Sequence, residues 1–301
     1  MKKIIITLTT ALLVIISLVI CKNVFSCRIP IGNRGIKNAI DSGDLDVLFI
    51  GSSTFRSNID IGLIDDAYGG RDYIIAYGGN QLAAVPVEYD EIVRRSDNSY
   101  GLMVFELDPL MLTEEVKLSD SRIIFDLSWQ GKLELWDQLA QSQNTDFSTF
   151  WEYFVTSGFD DIATYPLTEP FYATRYEKGA KNEDTPSSGR EFLESEQFDI
   201  SDAAINPVQE NAARALIKRC RERHQPFVFL ESPHYYRLSD DPIYKKYMEY
   251  FTRLLDEEGA KYITASEFDF DNKNPDFFED MGHMSQKGRS EFTKELIEKL
   301  Q

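Results

Sequence analysis

Two short stretches of the chain carry residue types that can move protons and acyl groups. The first is Gly51-Ser52-Ser53, directly after the apolar run 45–50. A serine opening a helix at a strand end gets backbone N–H groups around it, and the glycine permits a tight turn. Either serine would also serve as a helix N-cap, so the motif alone leaves both roles open. The second stretch is Asp280-Met281-Gly282-His283, followed by Met284-Ser285-Gln286-Lys287-Gly288. An Asp three residues before a His can hold the imidazole tautomer, leaving the other ring nitrogen free to take a serine proton. The plainer reading is a solvated loop histidine beside an acidic cap, with Ser285 capping the last helix.

The chain has only three histidines, so base chemistry has few places to sit. His224 ends a helical pattern, where a positive side chain eases the terminal carbonyls. His234 follows Ser232-Pro233 at the end of a strand run, on the same expected sheet edge as Ser53. It either touches substrate or is an ordinary loop histidine. Glu106 and Asp108 read as solvated or capping acids at a strand end rather than metal ligands. Cys220 reads as a buried helix residue. Three cysteines make no disulfide framework and match no zinc spacing. No Gly-x-Ser-x-Gly elbow, phosphate-binding glycine loop or His-Glu-x-x-His occurs, and no metal or cofactor is implied.

The elements that must position these residues are legible as alternating patterns. Apolar runs at 45–50, 73–76, 102–107 and 227–230 suit strands buried on both faces, with 262–264 as a fifth. Helical patterns cover 83–95, 207–223, 242–258 and 285–300. Strands alternating with helices imply an α/β fold, a mainly parallel sheet covered on both sides in three layers. A linker is expected at 28–37. From about 110 to 201 the alternation breaks, and Trp129, Trp136, Phe150, Trp151, Tyr153 and Phe154 sit among helix formers. That stretch reads as a helical insertion whose aromatics pack, followed by a polar loop at 176–196 that is long enough to act as a lid.

Lys2 and Lys3 precede a mostly apolar run from Ile4 to Ile20. Its 17 residues span about 26 Å as a helix, just under a hydrocarbon thickness. It reads as a signal peptide or single signal-anchor within residues 1–27, with the domain 28–301 exported. A lipid anchor is the third option: Cys21 follows Ile20, where a lipobox wants a small residue, and Cys27 follows the better Ser26 but beyond a charged break. Fifty acidic against 32 basic side chains give a formal charge of −18. So acidic a surface repels phosphate backbones and excludes general nucleic-acid binding.

The two chemical stretches together resemble the SGNH, or GDSL-type, hydrolase family. The resemblance covers 45–107 and 226–300, leaving the insertion unmatched. It implies a flavodoxin-like α/β/α sandwich with Ser53 as nucleophile and Asp280 and His283 as its partners. Ser52 stands at the family's Asp position, and Gly288 where relatives have glycine. It further implies an oxyanion-hole glycine after the second strand, with Gly79 the choice for it and Gly78 and Asn80 beside it as oxyanion or substrate-binding residues. The family's third block, Gly-x-Asn-Asp, is absent; Phe105-Glu106-Leu107-Asp108-Pro109 stands there. That departure and the apolar N-terminus resemble a membrane-anchored subgroup, which includes proteins of D-alanyl-lipoteichoic acid biosynthesis and exopolysaccharide O-acetylation. The implied activity is that of an O-acyltransferase or esterase acting on cell-envelope polysaccharide. Its partners are an acylated donor, a cell-surface glycan and a membrane-bound O-acyltransferase. The missing asparagine keeps a second expectation open, a non-catalytic accessory protein that binds glycan or the membrane partner. Pro109 biases Asp108 toward an extended backbone, which points its carboxylate away from any oxyanion.

Overall fold

The protein is described from a computed structural model, covering residues 2–26, 35–117, 120, 122–142, 150, 151, 153, 176–181 and 185–301. Five parallel strands form the central sheet: β1 (Leu45–Gly51), β2 (Asp72–Ala76), β3 (Tyr100–Glu106), β6 (Phe227–Leu230) and β7 (Tyr262–Ile263), in the order β2-β1-β3-β6-β7. Each coincides with an apolar run of the sequence within about two residues. Register places Gly51 beside Ala76 and Glu106 beside Leu230, so the carboxyl ends of β1, β2, β3 and β6 align along one edge. The order reverses on either side of β1, which makes its carboxyl end a switch point where open α/β sheets bind ligands.

Side chains alternate across the sheet with period two. Leu48 and Ile50 of β1 face one core, with Ile75, Phe105 and Phe229. That core is covered by α2 (Gly35–Asp41), α5 (Val85–Arg95), α9 (Pro207–Glu222) and α11 (Pro242–Glu257). Val47 and Phe49 face the other, with Ile74, Val104 and Leu230, under α3 (Ser53–Asn58), α4 (Ile61–Tyr68) and α12 (Gln286–Leu300). The result is an α/β/α sandwich. Pro at the first turn and a capping Asn206 or Asp241 start α9 and α11, each side chain accepting from backbone N–H groups.

Short helices not signalled by periodicity include α2, α3 and α4. The expected linker is corrected at its end, since Gly35 already lies against Ile75 and Tyr77 and Ile36 is fully buried. Residues 28–34 of it lie outside the described residues, as do Cys27 and Phe154. Within the insertion are α6 (Arg122–Asp126) and α7 (Trp129–Ser142). Trp136 packs on Phe150 and Tyr153 at centroid distances of 5.8 and 5.2 Å, while Trp129 is 57% exposed. The polar stretch expected as a loop holds a hairpin, β4 (Tyr176–Glu177) with β5 (Ala180–Lys181), and α8 (Gly189–Ser195). The hairpin turn docks on the sheet edge, with Ile74 N–H donating to the Lys178 carbonyl at 2.9 Å. A last short helix, α10 (Tyr236–Ser239), links β6 to α11.

At the N-terminus, α1 (Lys2–Ser26) is a 25-residue helix with Ile4, Ile5, Leu8 and Leu12 exposed. Among the described residues, no helix is long and apolar enough to cross a membrane.

Candidate active site

The carboxyl ends of β1, β2, β3 and β6 gather the residues singled out by type and spacing. Ser52 and Ser53 divide the two roles that the sequence left open. Ser52 is the N-cap of α3, its Oγ accepting from Thr54 N–H at 3.2 Å. Ser53 is the first helical residue and free of that duty. Its Oγ lies 3.0 Å from His283 Nε2. On the far side of the ring, His283 Nδ1 lies 2.8 and 3.0 Å from the two Asp280 carboxylate oxygens. An ionised carboxylate only accepts, so the proton sits on Nδ1 and the Nε2 lone pair faces the serine hydroxyl.

The Asp280 turn is built to hold that ring. Its Oδ1 also accepts the backbone N–H groups of Gly282 and His283, each at 2.8 Å. Burial pushes the Asp280 carboxyl up. The His283 hydrogen bond and charge, with the two backbone donors, outweigh it and hold the group below the usual carboxylate range. The side chains of His283 and Asp280 remain 31% and 35% exposed, so a substrate can reach them. Ser285 caps α12, accepting from Gly288 N–H at 3.3 Å. Gly288 has a steric reason to be glycine: a Cβ there would stand 2.1 Å from the Phe277 carbonyl oxygen.

Gly51 is required for a different reason from the turn expected of it. Its φ is not positive, and the space beside it is taken by Glu106, whose Oε2 would lie 2.7 Å from a Cβ. That carboxylate accepts both Ser52 N–H and, at 3.1 Å, Ser52 Oγ–H. Glu106 is thus neither solvated nor a cap. It is 5% exposed, tied under the serine turn. Burial and then Asp108 raise its carboxyl to about 7 against the Ser52 bonds and the nearby His283. Sequence reasoning missed this role, because the partners are 54 residues apart.

After β2, residues 77–80 form a turn closed by Asn80 N–H to the Tyr77 carbonyl at 3.1 Å, with Gly79 at φ +60°. A left-handed third position is what glycine supplies there. Tyr77 N–H and Asn80 Nδ2 both donate to the Gly51 carbonyl, at 3.3 and 3.2 Å, which straps the turn beside the serines. Gly78 and Asn80 are corrected as donors to substrate. Gly78 N–H is committed to Asp120 Oδ2 at 2.7 Å, and Asn80 is 6% exposed with its amide on Gly51. The insertion therefore shapes this turn: Asp126 accepts Tyr77 O–H at 2.8 Å and Glu114 accepts from Gln81 Nε2 at 2.7 Å. A cavity of about 20 Å³, lined by Gly79, Asn80, Ala83, Val116 and Leu135, lies between them. It has room for about one water.

Asp108 is extended, at φ −112° and ψ 112°, and its Oδ1 accepts Leu110 N–H at 2.9 Å, capping a 3-10 turn. Burial raises this carboxyl to about 6, against the Leu110 bond. His234 lies in the loop after β6, as the plainer reading expected, but it is buried there. It is 5% exposed, edge-on to Tyr244 at 5.7 Å, and its Nδ1 lies near Gly282. Burial, then the neighbouring His283, lowers it to about 4, so the ring is neutral. His224 acts through its backbone, left-handed at φ 54° with its N–H on the Arg221 carbonyl at 3.0 Å. Among the described residues no cluster of three or more His, Cys, Asp or Glu could hold a metal ion.

No protein-family model and no curated relative matches the chain. Solved structures to which it is similar include an acetyl xylan esterase at 12% identity, covering 84% of this chain and 96% of that one, with a TM-score of 0.38. An acetylxylan esterase from Geobacillus stearothermophilus shares 9% identity, covering 86% and 95%, with a TM-score of 0.37. A putative GDSL-like lipase from Parabacteroides merdae shares 11% identity, covering 85% and 95%, with a TM-score of 0.38. Likeness of that order lends no weight to a function, which must come from the geometry of this chain's own residues.

Proposed function

We propose that the protein is a serine acyl-ester enzyme, an esterase or O-acyltransferase that works on cell-envelope polysaccharide outside the membrane. The observation that carries the reading is the line Ser53 Oγ, His283 Nε2 and Nδ1, Asp280, hydrogen-bonded at 3.0 and 2.8 Å. His283 takes the Ser53 proton as Oγ attacks the donor's acyl carbon, and Asp280 stabilises the imidazolium. The tetrahedral oxyanion is held by the N–H groups of Ser53 and Gly79, the first of which has no acceptor inside its helix. One such donor is worth about 2.7–4 kcal/mol. His283 then gives its proton to the departing alkoxide, leaving the acyl group on Ser53. A second hydroxyl attacks that ester and loses its proton to His283, which passes it to Ser53 Oγ as the acyl–Oγ bond breaks; water makes the enzyme an esterase, a sugar hydroxyl a transferase. The formal charge of −18 favours a neutral glycan as acceptor.

The envelope location rests on the sequence pattern, Lys2 and Lys3 ahead of the apolar run from Ile4 to Ile20. Protease added to spheroplasts should digest the domain from residue 28 onward; full protection would place it inside. The chemistry is tested with a fluorophosphonate probe on the full chain. Labelling that vanishes in Ser53→Ala is expected. No labelling of the wild type would instead favour the accessory protein, a reading that draws on the absent third-block asparagine.

A further inference from the structure

Asn58 closes α3, five residues after Ser53, and is fully buried. Its Oδ1 accepts Met284 N–H at 2.8 Å. Its Nδ2 donates to the Gly282 carbonyl at 3.0 Å and to Ser232 Oγ at 3.1 Å. Gly282 and Met284 are the two chain neighbours of His283. One side chain therefore grips the backbone on both sides of the histidine. The amide orientation is fixed by those partners, since a backbone N–H only donates and a carbonyl only accepts.

We propose that Asn58 is a positioning residue that sets the place of His283 relative to Ser53, an inference that rests on the acyl-transfer reading. The Asp280 carboxylate makes the turn rigid within itself by holding Gly282 N–H, His283 N–H and the ring. Those bonds do not say where the turn sits. Tyr235 N–H ties it to the end of β6 through the Met281 carbonyl at 3.0 Å. Asp60 joins the start of α4 to α12 through Gln286 Nε2 at 3.2 Å and Ser290 Oγ at 2.5 Å, farther from the ring. Among the described residues, Asn58 alone links the helix that carries the serine to both flanks of the histidine. Its two amide hydrogens and its carbonyl are all used, so no other side chain of that size reproduces the set. Aspartate keeps the acceptor and loses both donors, and alanine loses all three.

The test uses the full chain in detergent, with p-nitrophenyl acetate as probe ester. With only three histidines, the His283 imidazole protons can be assigned by NMR. Folded Asn58→Ala should lower kcat by roughly 10- to 100-fold, because a base displaced by a fraction of an ångström loses its near-attack geometry. KM should stay within about twofold and the Nδ1 proton signal of His283 should shift or broaden. Ser232→Ala, which removes only the third contact, should keep the rate within about threefold of wild type. A wild-type rate and an unmoved Nδ1 signal in folded Asn58→Ala would overturn the proposal. If that variant does not fold, the near-isosteric Asn58→Asp decides in the same way. Should the wild type neither hydrolyse the ester nor take the probe, acyl transfer fails on its own. The Nδ1 signal then still judges the clasp: moved by Asn58→Ala supports it, unmoved refutes it.

Discussion

A single proton path through three side chains needs each of them for a different reason, and the reasons can be separated by substitution. In the proposed acyl transfer Ser53 supplies the bond-forming oxygen, so its loss leaves no ester to form. Asp280 supplies only tautomer and charge. Asp280→Asn is accordingly expected to lower kcat by about 10²- to 10⁴-fold and less than Ser53→Ala, with KM little changed. Steady-state hydrolysis of p-nitrophenyl acetate reads both; wild-type kcat in the asparagine variant would detach Asp280 from the chemistry. These residues were legible in the sequence because each lies beside its own structural signal: Ser53 after an apolar run, and Asp280 one turn before His283. Asn58 and Glu106 were not. Asn58 meets Met284 across 226 positions and Glu106 meets Ser52 across 54. No local pattern marks a buried amide or carboxylate whose partners are backbone groups of distant segments. Gly78 and Asn80 were expected to face the substrate, and nothing in their own stretch reveals that Asp120 and Gly51 already occupy their donors.

Among elements, legibility followed length and burial. Strands β1, β2, β3 and β6 are continuous apolar runs, and each was found because both faces of a parallel sheet are dry. Helices α9, α11 and α12 run 15 or 16 residues, long enough for their apolar period to show. Helices α3 and α4 have 6 and 8 residues, too few turns for a period, yet α3 carries the nucleophile. The strands of the β4–β5 hairpin have two residues each. Their turn is recognisable only from the sheet edge it meets, where a Cβ on Gly179 would fall 1.8 Å from the Ile74 carbonyl oxygen. The insertion was read as packing and does pack through Trp136, Phe150 and Tyr153. Its second task is tertiary. Asp120 and Asp126 reach back to Gly78 and Tyr77, so the segment with no counterpart in the expected resemblance finishes the turn that bears Gly79.

For the whole molecule, the buried carboxyls make stability depend on pH in a stated direction. Burial raises Glu106 and Glu231 to about 7, with Asp108 adding to each, and raises Glu88 to about 8. Glu88 is fully buried; burial is the main cause of its shift, the nearby Asn80 amide eases it in part, and Asp120 and Asp126 push it further. Each group keeps its proton to a higher pH when folded than when unfolded. Between about 4.5 and 8 the folded chain therefore binds more protons, and raising the pH works against it. Asp108 and Asp72, raised mainly by burial to about 6 and about 7, act in the same sense; His234, lowered to about 4, acts in the opposite sense up to the ordinary histidine value, one group against these five. The chain should unfold at a lower temperature at pH 8 than at pH 5.5, and Glu88→Gln should narrow the gap. Thermal unfolding of both proteins at the two pH values checks this, and a midpoint equal or higher at pH 8 for the wild type contradicts it. The distance along the chain between Ser53 and His283, 230 residues, has a consequence in time. A chain is made from its N-terminus, and its two segments cannot meet before the later one exists. The serine emerges first and waits for the turn that carries His283 and for the helix behind it. A nascent copy that has not reached that turn carries Ser53 without the imidazole that faces it in the fold. The hydrogen-bonded line from serine to carboxylate is therefore assembled late, by the meeting of two segments and not within either.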